Sequence, residues 1–176
     1  MTCPCLDPSN SAQIGAIQVL RDEHRVIEEV LDARLDRHWD AAFFRQSIDF
    51  LGGFADGCHH AKEEKALILE SAGISREGGP IGCMLSEHET GRDYARVIGE
   101  HLDASGRGDT NAARSIHDTI AACIATIRVH VYKEDDILSR LAEDALGREG
   151  QELMDAVFDR SDRSDGPARR RQQWID

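Results

Sequence analysis

The sequence predicts an all-α protein, an antiparallel up-down-up-down four-helix bundle with a short C-terminal helix and tail. Four stretches repeat apolar residues at steps of three and four, which is the spacing of a helix face packed into a core. Short polar or glycine-containing segments separate these stretches, and none of them shows the alternation of a β-strand. Four amphipathic helices with short connections are typical of an up-down bundle.

Each predicted helix carries its own core stripe. The first helix, about Ala12 to Arg37, has the stripe Ile17, Leu20, His24, Ile27 and Leu31. The second, about Ala41 to Ala72, has the stripe Phe44, Ile48, Leu51, Ala55, His59, Glu63 and Ala66. The third, from Ile81 to about Ala104, has the stripe Ile81, Met84, His88, Gly91, Ala95, Ile98 and Leu102.

The fourth helix is expected from about Asn111 to Leu146, with Thr110 as a candidate cap. Its stripe is Ile116, Ile120, Cys123, Ile127, His130, Glu134, Ile137 and Leu141. Gly147 and Gly150 are expected to interrupt it, and residues 151–160 to add a short helix on the end of the bundle. The chain is thus divided into an irregular N-terminal arm (1–11), a four-helix bundle (12–146) and a C-terminal extension (147–176).

The composition is acidic, with 33 Asp and Glu against 21 Lys and Arg and a net charge of −12. Phosphate binding needs a basic face, so neither nucleic acid nor an anionic membrane surface is expected as a partner. No basic and apolar leader opens the chain, and no apolar run approaches the roughly 20 residues of a membrane span. The odd number of cysteines, 5, predicts free thiols in a reducing compartment, so we expect a cytoplasmic protein.

Each of the four stripes contains one histidine, and two of them contain a glutamate four residues later. A His-x-x-x-Glu pair on a helix is usually solvated, but a carboxylate among isoleucines is costly unless it is paired or binds a metal. In an antiparallel bundle the four histidines fall at similar depths, so one layer would bury four imidazoles and two carboxylates. Two bridging carboxylates with two imidazoles for each metal describe a di-iron site, which helix bundles commonly hold.

Four segments of the chain carry the pattern H…HxxxE…H…HxxxE, and they are RDEHRVIEEV, CHHAKEEKALIL, MLSEHETGRD and HVYKEDDILSRL. With them the sequence resembles the hemerythrin-like (HHE cation-binding) family over about residues 12–146. The resemblance implies two non-haem irons, bridged by the two glutamates and by an oxo or hydroxo group (Fe–O–Fe or Fe–OH–Fe). Carried over position by position, the metal ligands are His24, His59, Glu63, His88, His130 and Glu134.

One of these assignments has a close competitor in the second helix. His60 and Glu64 form a second His-x-x-x-Glu pair, offset by one residue from His59 and Glu63. The pair His59 and Glu63 is preferred, because family members keep the ligand glutamate directly after a lysine, here Lys62.

Two further positions bear on how many ligands the metals have. Asp135 could replace Glu134, as an aspartate does in oxygen-carrying hemerythrins, but Asp135 is rotated by about 100° from the stripe. The carriers also have an additional histidine four residues after the third-helix ligand, and Arg92 stands at this position here. With six protein ligands, both metals are expected to keep room for water or an exogenous ligand, which favours ligand activation over dioxygen carriage.

The expected function is therefore that of a non-haem di-iron protein that binds and reacts with a small ligand: nitric oxide, peroxide or dioxygen. As an enzyme, it would reduce nitric oxide or disproportionate peroxide. The alternatives are a sensing or binding module for dioxygen or nitric oxide without turnover, and a protein of iron storage or iron-centre repair. Manganese and zinc are the alternative metals. A redox partner and the oligomeric state are left open.

The remaining histidines and cysteines receive no functional role. The histidines expected at the surface are His38, His101 and His117. The cysteines expected as small apolar residues in or near the core are Cys58, Cys83 and Cys123.

Overall fold

The structure is a computed structural model, and it describes residues 15–35, 41–70 and 79–163. All regular structure in these three ranges is helical, which confirms the all-α class. The predicted N-terminal arm, His38 and residues 164–176 of the predicted C-terminal extension lie outside the described residues.

Four helical segments follow one another along the chain. The first is α1 (Ala16–Leu35). The second joins α2 (Ala41–Phe50), a π-helical stretch π1 (Leu51–His60) and α3 (Ala61–Glu70). The third is α4 (Gly79–Gly106). The fourth joins α5 (Thr110–Lys133), a π-helical stretch π2 (Glu134–Leu138) and α6 (Ser139–Arg163).

The core is built partly from the predicted stripes, and Phe50, Phe54 and Ile124, which lie off those stripes, are buried in it as well. One apolar cluster joins the first, second and fourth segments and contains Ile27, Leu31, Phe50, Phe54, Ala55 and Ile124. Another joins the second, third and fourth segments and contains Phe44, Ile98, Leu102 and Ile116. These contacts hold the helices together as a bundle. In the part of the chain that the structure describes, no helix combines the length and the apolar character needed to span a membrane.

The second segment differs from the single α-helix that the sequence predicts. Within π1 the backbone is wound more widely, and the amide of Ala61 bonds to the carbonyl of Asp56, five residues earlier. A Cβ placed on Gly57 would lie 3.0 Å from the carbonyl oxygen of Gly52. The missing side chain at Gly57 therefore leaves room for this winding.

The fourth segment begins at Thr110, one residue earlier than predicted. The carboxylate of Asp109 accepts hydrogen bonds from the amides of Asn111 and Ala112, at 2.9 and 3.1 Å. Asp109 is therefore the N-cap, and the prediction of Thr110 was wrong, because Thr110 is already the first helical residue. Before the cap, Gly108 turns the chain with a φ of 92°, a conformation that favours glycine.

The register of the fourth segment changes at π2. The amide of Ser139 bonds to the carbonyl of Glu134, five residues earlier, which shifts the following residues relative to the α-helical stripe. Ile137 was predicted in the core but is 46 % exposed, and Ser139 is buried instead. The extra residue in the turn is the physical reason for this error.

The predicted interruption at Gly147 and Gly150 is also wrong, because α6 runs without a break from Ser139 to Arg163. A glycine inside a helix costs about 0.5–1 kcal/mol relative to alanine, which packing can offset. Here Met154, Val157 and Phe158 are buried against the start of α1, next to Ala16.

Candidate metal centre

The six predicted ligands come together in the interior of the bundle. Each is supplied by a different element and none is more than 6 % exposed: His24 from α1, His59 from π1, Glu63 from α3, His88 from α4, His130 from α5 and Glu134 from π2. A layer of this kind buries two carboxylates and four imidazoles where apolar side chains would be expected.

Glu63 lies between the two pairs of histidines. Its Oε1 atom is 3.4 Å from Nε2 of His59 and 3.8 Å from Nε2 of His24. Its Oε2 atom is 3.4 Å from Nε2 of His88. The carboxylate thus presents one oxygen to each side of the cluster.

Glu134 spans the same two sides. Its Oε2 atom is 3.1 Å from Nε2 of His24. Its Oε1 atom is 3.2 Å from Nε2 of His130 and 3.7 Å from Nε2 of His88. Two carboxylates therefore connect the pair His24 and His59 with the pair His88 and His130.

The atoms that face the middle of the cluster make no hydrogen bonds within the described structure. They are buried, and they are Nε2 of His24, His59, His88 and His130, Oε2 of Glu63, and both oxygens of Glu134. A buried polar atom without a hydrogen bond costs roughly 1–3 kcal/mol, and the close approach of the imidazoles to the carboxylates offsets only part of this cost for these seven atoms. Neutral imidazole and carboxylate are metal donors, and this donor set fits two cations.

Each of these histidines is held from behind by a carboxylate at its other ring nitrogen. The Nδ1 atoms lie 2.7–3.1 Å from their partners, which are Asp135 for His24, Glu23 for His59, Glu64 for His88 and Glu87 for His130. A carboxylate at Nδ1 fixes the ring orientation and leaves Nε2 free to bind, which is the usual arrangement around protein-bound metals.

A cation stands behind each of these outer carboxylates. Lys62, with no exposed surface, donates to Glu23 at 2.7 Å. Arg92 donates to Glu64 at 2.7 Å. Arg25 pairs with Asp135, and Lys133 pairs with Glu87. The cluster therefore has three layers, with central donors, outer carboxylates and outer cations.

The ionisation of the central groups follows from these contacts. Burial opposes a charge on His24, but the Asp135 and Glu134 carboxylates outweigh it and raise its pKa to about 11. Burial likewise opposes a charge on His88, but the Glu134 and Glu63 carboxylates raise its pKa to about 10. Without a metal, these two rings carry protons at neutral pH.

The two carboxylates have pKa values shifted in the opposite direction. Burial works against the charge on Glu63, yet the imidazoles of His59 and His24 hold its pKa well below the usual range. For Glu134, burial and the neighbouring Glu63 also work against the charge, and the imidazoles of His24 and His88 still lower its pKa. Both carboxylates are therefore ionised and available as donors.

The structure separates the residues that competed in the sequence. Glu63 lies at the centre of the cluster, whereas Glu64 lies outside it, behind His88. In the same way Glu134 faces the centre and Asp135 faces the outer ring nitrogen of His24. The sequence reasoning missed the outer role of Glu64 and Asp135, because these contacts join segments distant in the chain.

His60 is a further donor that the sequence reasoning set aside. One donor atom each from His60, Glu63, His88 and His130 lies within 4.8 Å of the other three, as for the set His24, His59, Glu63 and Glu134. The sequence signal for His60 was its place directly after His59. In an α-helix, however, two consecutive side chains point in different directions, so only one of them was expected to reach the centre.

Arg92 occupies the position four residues after His88. Its guanidinium donates to Asp56, Glu64 and Glu89, each at 2.7 Å. It therefore supports carboxylates around the centre and is no metal ligand.

A cavity of about 210 Å³ adjoins the cluster. Its walls are mostly apolar, with Ile27, Leu51, Ala55 and Ile127 among them, and His59, His60 and His130 form the part next to the centre. This volume admits a small molecule of a few atoms beside the donors.

The other residues singled out in the sequence are not among the central donors. Cys58 and Cys123 are buried as predicted, but Cys83 is exposed, at the start of α4 near Glu87 and Lys133. His117 is exposed, and His101 is partly buried with its ring bonded to the carbonyl of Val97.

Comparison with known proteins agrees with this geometry. The family model of the hemerythrin HHE cation binding domain matches residues 15–142, a range that includes all six predicted ligands. No curated protein and no solved structure matches the chain. The matched range covers well over half of the chain, and it contains a buried set of histidine and glutamate donors suited to cations. The chain belongs to the hemerythrin HHE cation-binding domain family.

Proposed function

We propose that the protein is a non-haem di-iron protein that binds and reacts with a small ligand, with nitric oxide, peroxide and dioxygen as the candidates. The observation that carries the proposal is the position of Glu63 and Glu134, each with one oxygen toward each histidine pair. One cation would be held by His24 and His59, the other by His88 and His130, and the two carboxylates would bridge them.

Iron is the metal that this donor set favours. Imidazole suits iron, zinc and copper, while carboxylates suit harder ions, and mixed sets of two carboxylates and several imidazoles are those of di-iron sites in helix bundles. Manganese and zinc are the competing metals. When bound, the metal pair supplies the redox and Lewis-acid chemistry.

The side chains of the protein have three tasks in this proposal. The outer carboxylates and their cations hold the imidazoles in one orientation, so that the donors are preorganised. The apolar walls of the cavity limit the number of waters beside the centre. The size of the cavity admits a small ligand and excludes a large one.

The topology of the bundle is part of the proposal. We infer an up-down-up-down antiparallel arrangement of the four helical segments. The short connections between the segments support it, and so does the meeting of His24, His59, His88 and His130 in one layer.

The deciding experiment is metal analysis combined with the optical spectrum of the aerobic protein, followed through addition of peroxide and nitric oxide. Two irons per chain with charge-transfer bands of an oxo-bridged pair are expected, together with spectral changes on ligand addition and turnover. Stable ligand adducts without turnover would favour a binding or sensing module. Iron that transfers readily to an acceptor would favour storage or repair. Fewer than two metals per chain would contradict the di-iron proposal.

A further inference from the structure

His60 is the strongest chemical feature that the six-ligand assignment leaves unused. Resting on the proposed di-iron function, we propose that His60 is a seventh protein ligand, bound to the same metal ion as His88 and His130. The two metal positions are then unequal, and the position for an exogenous ligand lies on the ion held by His24 and His59.

The geometry around His60 is that of a shared binding position. Its donor atom lies within 4.8 Å of donor atoms of Glu63, His88 and His130. Its ring stacks on His88, with 3.8 Å between the centroids and 12° between the planes. The rings of His60 and His130 are nearly perpendicular to each other, with their centroids 5.6 Å apart. The imidazoles of His60, His88 and His130 thus lie together on the same side of Glu63.

The unusual winding of π1 explains how two consecutive histidines reach one centre. His59 and His60 are its last two residues, and their ring centroids lie 5.5 Å apart. In an α-helix, neighbouring side chains diverge by about 100° around the axis. The wider turn, with its bonds to the fifth preceding residue, reduces this divergence, and π-helical turns often occur at functional sites.

His60 also resembles the other four histidines in what stands behind it. The carboxylate of Asp56 lies 3.6 Å from its Nδ1 atom, and Arg92 donates to that carboxylate at 2.7 Å. The same arginine supports Glu64 behind His88. The contact between Nδ1 of His60 and Asp56 is longer than a hydrogen bond, so this ring is held less tightly from behind than the other four.

This assignment changes the expected ligand count. Six protein ligands leave both ions equally open, whereas a seventh gives one ion three imidazoles and the other two. Azide, a small anion that binds to open metal positions, is a suitable probe of the difference. Wild-type protein should bind one azide per metal pair, at the ion held by His24 and His59.

The test compares iron-loaded wild type with His60→Ala, and uses His117→Ala as a control because His117 is exposed and distant from the centre. We expect His60→Ala to bind two azides per pair, and to lose one of its two irons to a chelator at least roughly tenfold faster. Imidazole added to His60→Ala should restore the slow rate by filling the vacated position. The control should match wild type in all three measurements.

The failure of this proposal is distinct from the failure of the di-iron function. Two irons in His60→Ala with an unchanged azide count and an unchanged release rate would exclude His60 as a ligand while leaving the function intact. A wild-type protein without two irons would overturn both. If His60→Ala does not fold, His60→Gln, which fills more of the space and is a weak metal ligand, is measured in the same way.

Discussion

At the scale of single residues, the centre consists of buried charged and polar side chains. Each of them would be unfavourable in the core alone and is stabilised by an oppositely charged or hydrogen-bonding neighbour. Glu63 is acceptable in the core only because imidazoles surround it, and His59 is oriented only because Glu23 stands behind it. Glu23 in turn is buried with Lys62. Removing one partner leaves a buried charge unpaired. A substitution in any of the three layers should therefore change metal binding at the centre.

Removing a central donor should remove metal. His59→Ala and Glu134→Ala each delete donor atoms that face the cluster, so we expect metal content to fall sharply in both variants. Metal analysis after purification is the measurement, and His117→Ala, on the surface, should retain the wild-type content. Equal occupancy in all three variants would show that the ligands are assigned to the wrong residues.

Changing an outer carboxylate should weaken metal binding while leaving the donors in place. Glu64→Gln retains the shape of Glu64 but loses the charge behind His88, and outer partners of this kind are worth about 10–100-fold in metal affinity. Glu89→Gln is the matched control, because Glu89 accepts from the same Arg92 but is exposed and holds no histidine. Competition with a chelator measures the affinities. A loss of similar size in Glu89→Gln would assign the effect to Arg92 and not to His88.

Metal binding should release protons from the centre. In the metal-free protein the pKa of His24 is about 11 and that of His88 about 10, so both rings are protonated at pH 7–8 and must become neutral to bind. Calorimetry in buffers of different ionisation enthalpy should detect about two protons released. Since both values are raised above the usual 6.5, their contribution to metal-free stability is fully present below pH 6.5 and is lost as the pH rises toward 10–11. Metal binding without proton release at pH 7–8 would contradict these protonation states.

At the scale of elements, the two π-helical stretches are the least ordinary part of the fold, and both lie at the centre. π1 ends with His59 and His60, and π2 begins with Glu134 and Asp135. In each case two consecutive residues contact the cluster, one as a central donor and one beside or behind it. The winding thus gives the centre more side chains than two α-helical faces could provide.

The glycines of π1 offer a test of this winding. Gly52→Ala places a methyl group in open space and should stabilise the helix by about 0.5–1 kcal/mol, the usual gain for alanine in place of glycine. Gly57→Ala places its Cβ 3.0 Å from the carbonyl oxygen of Gly52, so it should lose that gain or destabilise. Denaturant unfolding of the metal-free variants measures the difference. Equal stabilisation by both substitutions would argue against the wide turn between Gly52 and Gly57.

The sequence predicts the helices and the six side chains that meet in the core, because both depend on local spacing. An apolar residue at every third or fourth position indicates the buried face of a helix, and this spacing does not depend on which helix packs against it. Histidines on such faces come together when the faces pack in one core. The position of His60 beside the cluster and the exposure of Ile137 follow from the π-helical turns, which a periodic pattern in the sequence does not predict. Contacts such as Glu87 with His130 join different helices and depend on packing that spacing does not specify.

At the scale of the whole molecule, α6 contacts the outer support of the centre from outside the range that the family model matches. The carboxylate of Asp155 accepts a hydrogen bond from the amide of Ala16 at 2.7 Å, so α6 caps the start of α1. Phe158 lies over the ammonium group of Lys62, with 5.7 Å from Nζ to the ring centroid. This covers the buried pair of Lys62 and Glu23, and thereby the support of His59.

Phe158→Ala should therefore affect both stability and metal retention. Loss of a buried phenylalanine costs about 3–5 kcal/mol, and denaturant unfolding of the metal-free protein measures it. The space left by the phenyl ring would also admit water to Lys62 and Glu23 and weaken their ion pair. His59 would then be held less firmly, so that metal release to a chelator becomes faster. Leu153→Ala, on an exposed side chain of the same helix, is the control and should alter neither quantity. If Phe158→Ala lowers stability but releases metal at the wild-type rate, the end of α6 serves the fold alone, whereas a change in both quantities makes it part of the metal centre.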